Sequence, residues 1–411
     1  MTPGPEVVIV GGGAAGFFAA ITCAETFPRA RVTLLEAGRE FLSKVRISGG
    51  GRCNVTHHCF DPAQLVQNYP RGGQALRGPL SRFQPRDTVA WFQTRGVALK
   101  TEADGRMFPV TDSSQTIVAC LFQSAQASGV QLRPQSPVRQ ILKTAGPFQL
   151  LLKNGESLSA NRVLIATGSH PLGYQWAESL GHSILPPVPS LFTLQLRDPR
   201  LADLAGISVE PVHLRLMTGD KTRLEQTGPL LITHWGLSGP AVLKLSAWGA
   251  RCLYDHHYRM PLVINWLPQY SQEHIRQVLL TTKQAQARKQ LQGLSPVPLP
   301  KRLWQNLACF ANIAPTTTWA DVSKVQIQAL LQALTQGQYQ VQGKGVFKEE
   351  FVTCGGVNLK EINFKTMESR RCPGLFFAGE VLDIDGITGG FNFQNAWTTG
   401  WIAGHHLGIN S

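Results

Sequence analysis

Residues 6–16 have the sequence Glu-Val-Val-Ile-Val-Gly-Gly-Gly-Ala-Ala-Gly. The β-branched run predicts a buried strand over Glu6–Val10, and the glycines predict a tight turn directly after it. The alanine-rich stretch Ala14–Thr26 predicts a helix that ends before Pro28, and Arg31–Leu35 predicts a second strand. Strand, helix and strand within about 30 residues indicate a parallel βαβ unit.

The glycine turn has the spacing G-x-G-x-x-G, which places a helix N-terminus and its unpaired N–H groups beside an anion. Gly11 permits the tight turn, and Gly13 lets the backbone approach a pyrophosphate. Gly16 lets the helix pack closely on the strand. Ala14 and Ala15 begin the helix and complete the predicted phosphate contacts.

Glu36 ends the second strand, 20 residues after Gly16. A carboxylate at this position accepts hydrogen bonds from the ribose of an adenosine, and it disfavours a 2′-phosphate there. The turn and Glu36 together predict a dinucleotide site.

A second glycine loop, Ser48–Asn54, has the sequence Ser-Gly-Gly-Gly-Arg-Cys-Asn. Successive backbone N–H groups, including those of Ser48 and Gly51, can form an anion nest, to which Arg52 adds a fixed positive charge. We expect this loop, through Asn54, to contact the pyrophosphate or the flavin edge. Cys53 is either a redox thiol or a packing residue, and a lone cysteine more often packs.

Two later segments distinguish a flavin from a nicotinamide dinucleotide. Thr167 and Gly168 follow a predicted strand, Arg162–Ala166, where the chain would cross beneath a flavin. A further strand, Leu375–Ala378, runs into Gly379 and Glu380, whose carboxylate can hold the ribityl hydroxyls. Gly389 and Gly390 then lead into a helix near Asn392, whose N-terminus would face the flavin N1–C2 carbonyl region. Because FAD requires both ends of a chain and NAD only the first, these motifs predict FAD.

The predicted fold class is α/β: a Rossmann-type FAD-binding domain split in sequence, with an inserted β-barrel-like domain and a small helical insert. The proline cluster at Pro186, Pro187 and Pro189 marks the first predicted domain boundary. The predicted domains are residues 1–190 and 346–411 for the FAD-binding domain, 191–267 and 320–345 for the β-domain, and 268–319 for the helical insert.

Charge and cysteine content restrict the class of protein. Thirty-nine Lys and Arg against 26 Asp and Glu give the 411-residue chain a formal net charge of +13. This excess attracts polyanions, but a merely basic surface explains it equally well. No two of the eight cysteines have Cys-x-x-Cys spacing, so no metal site is predicted. No apolar stretch reaches about 18 residues. We therefore expect a soluble cytoplasmic protein with reduced thiols, no membrane association and no stable protein partner.

Taken together, these motifs resemble the BaiN/RdsA-type family of bacterial NAD(P)/FAD-dependent oxidoreductases. The resemblance covers most of the chain and includes several further elements: Gly105–Pro109, Thr233–Pro240, Leu299–Arg302 and Gly355 through Gly404. It implies the split FAD domain, the inserted barrel and the helical insert. The full set of expected cofactor contacts adds Lys44, Val138 and Phe391 to the residues named above.

Members of that family are ribosomal RNA dihydrouridine synthases or small-molecule flavin oxidoreductases. The resemblance therefore implies that NADH or NADPH transiently reduces FAD, which reduces a uridine of 23S ribosomal RNA to dihydrouridine. His234 is the candidate acid or substrate-positioning group, and Cys53 is the second candidate. Five cations of the helical insert are expected to hold phosphates: Lys283, Arg288, Lys289, Lys301 and Arg302.

The sequence departs from the family pattern in two places. The loop Ser169–Tyr174 is shorter than usual, and Trp235 follows His234 where a small or basic residue is expected. Both positions are where a nicotinamide or substrate would approach the flavin. Three alternatives therefore stay open: a small-molecule ene reductase, an amine oxidase, and a flavin-binding protein without catalysis.

Overall fold

The computed structural model describes residues 4–143, 145–219, 223–345 and 352–409. Residues 346–351, at the start of the predicted C-terminal part of the FAD domain, lie outside these ranges. The chain divides into two compact units. The split unit comprises Met1–Val188 with Val352–Ser411, and the inserted unit comprises Pro189–Phe351.

Helices and strands alternate through the split unit, and strands dominate the first half of the inserted unit. The helices are α1 (Ala14–Thr26), α2 (Ser43–Ile47), α3 (Pro62–Leu65), α4 (Gly73–Arg82), α5 (Pro85–Gln93), α6 (Ser114–Ala127), α7 (Pro171–Ser179), α8 (Pro240–Trp248), α9 (Ala250–Asp255), α10 (Gln272–Ala285), α11 (Lys301–Phe310), α12 (Lys324–Gln336) and α13 (Phe391–Leu407). The strands are β1 (Glu6–Val10), β2 (Arg31–Leu35), β3 (Thr56–His57), β4 (Leu99–Thr101), β5 (Arg106–Pro109), β6 (Gln131–Arg133), β7 (Val138–Lys143), β8 (Phe148–Leu152), β9 (Ser157–Ala160), β10 (Arg162–Ile165), β11 (Ile184–Ser190), β12 (Leu194–Gln195), β13 (Ser208–Leu216), β14 (Leu224–Thr233), β15 (Gly236–Ser238), β16 (Met260–Asn265), β17 (Gly337–Val341), β18 (Gly343–Lys344), β19 (Val352–Val357), β20 (Ile362–Asn363), β21 (Glu368–Ser369) and β22 (Leu375–Phe377).

The main sheet of the split unit has the strand order β20-β21-β22-β10-β1-β2-β6. Strands β22, β10, β1, β2 and β6 run parallel, so their carboxyl ends meet at one edge. The predicted bounds of β1, α1 and β2 are confirmed, and β10 and β22 each end one residue earlier than predicted. The C-terminal strand β22 therefore joins the N-terminal sheet beside β10, as the sequence predicts.

Helices α1 and α13 pack against each other although they come from opposite ends of the chain. Their close approach requires glycine: a Cβ on Gly400 would lie 2.6 Å from the Ala15 carbonyl oxygen, and one on Gly404 would lie 2.8 Å from that of Ala19. This packing fixes the N-terminal glycine turn relative to the C-terminal segment.

The inserted unit contains an antiparallel seven-stranded sheet. Its strand order is β17-β16-β13-β14-β15-β12-β18. The two terminal strands of this order, β17 and β18, are separated in sequence by Gln342 alone, so the chain itself links the two edges of the sheet. This sheet corresponds to the β-barrel-like domain that the sequence predicts.

One hydrophobic core joins this sheet to helices α10, α11 and α12. Helix α10 is shorter than the predicted Ser271–Gln292, because the chain after Ala285 pairs with a later segment. In this pairing Leu291 N–H donates to Thr317 O at 3.1 Å, and Trp319 N–H donates to Lys289 O at 2.9 Å. No helix among the described residues is long and apolar enough to cross a membrane.

Candidate functional site

The glycine turn after β1 leaves open space beside the N-terminus of α1. Gly11 has φ +116°, and a Cβ there would lie 2.4 Å from Ala166 O. A Cβ on Gly16 would lie 2.0 Å from Gly11 O, so this position packs helix on strand. A Cβ on Gly13, by contrast, meets no atom within 4 Å. Ala14 begins the helix beside that space, where the first N–H groups have no intrahelical acceptor.

The Glu36 carboxylate is held against this turn by two backbone donors. Oε2 accepts from Gly12 N–H at 2.9 Å, and Oε1 accepts from Gly38 N–H at 2.8 Å. The backbone of Ser136 also donates to Glu36 O at 2.8 Å, which brings the start of β7, with Val138, to the same place. The predicted ribose acceptor thus lies beside the glycine turn.

A charged cluster lies where β10 and β22 end. Lys44 Nζ donates to Glu380 Oε2 at 2.7 Å and to Ser169 Oγ at 3.3 Å. Gly168 has φ +58°, and a Cβ there would lie 3.4 Å from the same Glu380 oxygen. The structure therefore brings together Lys44, Gly168 and Glu380, which are far apart in sequence.

Two hydroxyls in this region have no hydrogen-bond partner within the described ranges: Thr167 Oγ1 and Tyr174 OH. Tyr174 is 5% exposed. Burial, together with the charges of Glu380 and Asp383, raises the pKa of its phenol. An unpaired buried hydroxyl costs about 1–3 kcal/mol, and such groups commonly mark a ligand site. Tyr174 was missed by the motif analysis, because only its tertiary surroundings distinguish it from a core tyrosine.

The second glycine loop forms a left-handed turn. Gly49, Gly50 and Gly51 have φ values of 57°, 68° and 84°, and a Cβ on either Gly50 or Gly51 would meet open space. Cys53 N–H closes the turn on Ser48 O at 3.0 Å. The Cys53 side chain is fully buried, and burial raises the pKa of its thiol to about 12. This burial favours the packing role over the redox role.

Arg52 is already paired with carboxylates. Its Nη1 donates to Glu102 Oε1 at 2.6 Å and lies 3.5 Å from Asp112 Oδ1. The guanidinium also lies 4.1 Å from the centre of the Phe108 ring. The sequence predicts that the positive charge of Arg52 binds an anion. In the structure, neighbouring carboxylates of the split unit already compensate that charge.

The N-terminus of α13 is anchored to the second glycine loop. Gly390 has φ +91°, and a Cβ there would lie 2.5 Å from Thr56 O. The Asn54 amide is oriented so that its Nδ2 donates to Thr56 O at 3.1 Å. Its Oδ1 then accepts from Gly390 N–H at 3.0 Å. Tyr69 OH donates to Phe391 O at 2.7 Å, and Asn392 exchanges hydrogen bonds of 2.8 and 2.9 Å with the backbone of Gly386. This fixes the direction of a 17-residue helix N-terminus, which favours negative charge.

His234 belongs to the inserted unit, unlike the residues described above. It forms with Trp235 the two-residue turn between β14 and β15, and both side chains are exposed. An exposed imidazole on a β-turn is sterically able to meet a large substrate.

The residues of the split unit fit FAD, the cofactor predicted from the sequence. They supply an open glycine turn at a helix N-terminus, a ribose acceptor in Glu36 and a second carboxylate in Glu380. The unpaired hydroxyls of Thr167 and Tyr174 and the anchored end of α13 supply further polar groups. NAD would not require the C-terminal half of this set.

Comparison with known proteins gives full-length matches. The family described as HI0933-like protein Rossmann domain matches residues 5–406. A ribosomal RNA dihydrouridine synthase of Escherichia coli (strain K12) is 32% identical, with 98% of each chain covered. A 3-dehydro-bile acid delta(4,6)-reductase of Clostridium scindens is 29% identical, covering 97% of this chain and 98% of the relative. These matches confirm the resemblance seen in the motifs.

Solved structures share the fold at low sequence identity. A 3-ketosteroid-delta4-(5alpha)-dehydrogenase from Rhodococcus jostii RHA1 has a TM-score of 0.52 at 14% identity, covering 99% of this chain and 97% of the other. A 3-ketosteroid delta1-dehydrogenase from Sterolibacterium denitrificans has a TM-score of 0.51 at 13% identity, covering 99% of both chains. They establish the α/β Rossmann-type architecture.

Proposed function

The chain belongs to the HI0933-like protein family, and from that membership we propose that it is an FAD-dependent oxidoreductase that reduces uridine in 23S ribosomal RNA to dihydrouridine, with NADH or NADPH as electron donor. The observation that carries the proposal is the full-length similarity to ribosomal RNA dihydrouridine synthases. A second such relative, from Haemophilus influenzae, is 31% identical over 96% of each chain. Neither an isolated domain nor a shared motif accounts for a match of that length.

The geometry of the split unit supports the cofactor part of the proposal. FAD, when bound, supplies the hydride that saturates a carbon–carbon double bond. Glu36 would hold the adenosine ribose, and Gly13 would leave room for the pyrophosphate. Glu380, with Thr167 and Tyr174, would hold the ribityl chain, and the N-terminus of α13 would favour negative charge at the ring.

The proton that accompanies the hydride needs an acid. His234 is exposed, whereas the Cys53 thiol is buried. We therefore propose His234 as the donor of the proton at uracil C5 and a packing role for Cys53. His234→Gln should lower turnover at least tenfold while FAD content stays unchanged, because the residue does not belong to the cofactor set.

The surface of the inserted unit supports an RNA substrate. Arg288, Lys289, Lys301 and Arg302 are exposed, and no carboxylate within the described ranges pairs with them. Lys283 differs from the prediction, since its ammonium donates to Ala320 O at 2.9 Å and to Val322 O. Four of the five predicted cations are therefore exposed and without a carboxylate partner among the described residues, which supports the proposal that they bind phosphates.

A second candidate function is reduction of a small unsaturated molecule. It is favoured by the bile acid reductase, which is nearly as similar over nearly the same length. Both reactions would use the same cofactor site, so only the substrate distinguishes them. A flavin protein without turnover is the third possibility, and substrate-dependent NAD(P)H oxidation would exclude it.

The deciding experiment is nucleoside mass analysis of ribosomal RNA from cells with and without the gene. Loss of one dihydrouridine in the deletion strain, restored by the wild-type gene and not by His234→Gln, is the expected result. Unchanged dihydrouridine, with an intact FAD-loaded protein that oxidises NAD(P)H when given an enone, would establish the small-molecule reductase instead.

A further inference from the structure

A cluster of three soft donor atoms lies in the inserted unit, outside the proposed cofactor site. Cys252 Sγ is 3.8 Å from His256 Nδ1 and 4.0 Å from Met260 Sδ. The three residues follow the spacing Cys-x-x-x-His-x-x-x-Met. This is not a zinc spacing, and the motif analysis therefore gave no sign of it.

The local backbone brings the three side chains together. Cys252 lies on α9, and His256 lies one helical turn later on the same face. His257 and Tyr258 then have φ values of 52° and 57°, and Tyr258 N–H donates back to Leu253 O at 2.6 Å. This reversal returns the chain so that Met260, at the start of β16, faces Cys252.

The two distances from Cys252 Sγ match those expected around a three-coordinate ion. Bonds of roughly 2.3 Å to sulfur and 2.0 Å to nitrogen at 120° place the sulfurs about 4.0 Å apart and sulfur and nitrogen about 3.7 Å apart. The observed separations are 4.0 Å between the two sulfurs and 3.8 Å between Cys252 Sγ and His256 Nδ1. Thiolate and thioether ligands favour Cu(I) and Zn²⁺ over Mg²⁺ and Ca²⁺, which prefer carboxylate and carbonyl oxygens. Structural Zn²⁺ takes four ligands from Cys, His and carboxylates, so three donors that include a thioether favour Cu(I).

We propose that Cys252, His256 and Met260 form a binding site for one soft monovalent metal ion, Cu(I) or its analogue Ag(I). Met260 is 1% exposed and closes the inner side, whereas His256 is exposed and borders solvent. On binding, the Cys252 thiol releases its proton. His256 Nδ1, which donates to Cys252 O at 2.8 Å, gives up that hydrogen bond. The imidazole changes tautomer, so that Nε2 carries the proton and Nδ1 binds the metal.

The test is Cu(I) competition against a chromogenic chelator, using the full-length protein under anaerobic, reducing conditions. Wild-type protein should withhold one equivalent of Cu(I) from the chelator. Cys252→Ser should withhold none, and Met260→Leu and His256→Ala should each bind at least tenfold more weakly. Cys309→Ser is the matched control, because Cys309 is an exposed cysteine of the same unit and should not affect binding.

A second measurement separates metal binding from loss of fold. Ag(I) should protect Cys252 from iodoacetamide in the wild-type protein, as read by mass spectrometry, and should leave its circular dichroism unchanged. Leucine replaces methionine with little change of volume, so Met260→Leu should stay folded. Three results would overturn the proposed site. They are equal Cu(I) affinity of Met260→Leu and wild type, one equivalent of Cu(I) retained by Cys252→Ser, and failure of the wild-type protein to compete with the chelator.

Discussion

A side chain added at Gly13 would meet no atom within 4 Å, because the turn opens there onto the space beside the N-terminus of α1. Its φ of −89° is also one that any residue can adopt. Gly13→Val should therefore fold normally and yet lose FAD, since the isopropyl group occupies the place of the pyrophosphate. The measurement is the ratio of absorbance at 450 to 280 nm together with a thermal midpoint.

The matched control for this prediction is Gly78→Val. Gly78 also has open space around it, but it lies on α4 away from the glycine turn. This variant should keep stoichiometric FAD. A folded Gly13→Val protein with full FAD content would show that the cofactor does not lie at this turn.

A buried polar cluster ties α7 to the hairpin of β20 and β21. His182 Nδ1 lies 3.1 Å from Glu361 Oε2, and its Nε2 lies 2.8 Å from Ser369 Oγ. Burial lowers the pKa of His182 more than the Glu361 carboxylate raises it. Burial opposes ionisation of Glu361, but the hydrogen bonds from Ser183 and Arg371 outweigh it and lower that pKa as well.

Both pKa shifts predict that the split unit becomes less stable as the pH falls. The unfolded chain takes up a proton on His182 below its ordinary pKa of 6.5, while the folded protein resists it. Stability is therefore complete above that value and falls as the pH decreases; Glu361 adds a further loss below about pH 4.5. His182→Gln should lower the free energy of unfolding by about 1–3 kcal/mol at pH 8.

Thermal midpoints between pH 8 and pH 5 test this prediction. The wild-type midpoint should fall more steeply below pH 6.5 than that of His182→Gln, which lacks the titrating group. His274→Gln, which changes an exposed imidazole on α10, should keep the wild-type profile. Parallel profiles for wild type and His182→Gln would show that His182 does not titrate in this window.

Single residues could be predicted where the motif itself fixes the geometry. Gly13 and Glu36 lie where the sequence places them, because their roles follow from a turn of six residues and the next strand. Arg52 could not be predicted in this way, since its partner Glu102 is 50 residues away in sequence. Tyr174 depends on packing that no local pattern records.

At the scale of elements, the bounds of a helix or strand could be predicted where its contacts are local in sequence, and not where they are distant. β1, α1 and β2 form locally, and their bounds match the predicted ones. α10 ends earlier than its periodicity predicts, because Leu291 pairs with Thr317 across the unit.

The charged elements of the inserted unit give the third prediction. Reversing Arg288, Lys289 and Arg302 to Glu should weaken binding of ribosomal RNA and flatten its salt dependence by roughly 0.7–0.9 per lost contact. FAD content should not change, because these residues lie outside the split unit. Binding measured from 50 to 200 mM salt provides the slope.

A charge-matched control distinguishes a local contact from overall charge. Reversal of Arg29, Arg77 and Lys153, which are exposed in the split unit, changes the net charge equally. It should leave the salt slope near the wild-type value. Equal slopes in both triple variants would mean that the cations of the inserted unit form only a solvated surface.

At the scale of the whole molecule, both ends of the chain contribute to the candidate FAD site of the split unit. The glycine turn comes from the N-terminus, and Glu380 and α13 come from the C-terminus. The sequence contains no second G-x-G-x-x-G directly after a strand. The predicted loop Ser169–Tyr174 is helical from Pro171 onward, as part of α7. We therefore propose that a nicotinamide donor, without a Rossmann site of its own, docks transiently at Ser169 and His170.

The fourth prediction concerns this docking. Transient binding makes reduction slow in the absence of substrate, so NADH or NADPH should bleach the flavin absorbance slowly in an anaerobic stopped-flow experiment. Replacing Ser169 and His170 by the longer glycine-rich segment usual in the family should change the apparent Kd for the nicotinamide and leave FAD content unaltered. Recovery of absorbance on adding ribosomal RNA supports the synthase, and recovery only with an enone supports the small-molecule reductase. Absence of bleaching by either donor, in protein that holds intact FAD, would contradict nicotinamide dependence, because the electrons would then have to come from the substrate itself.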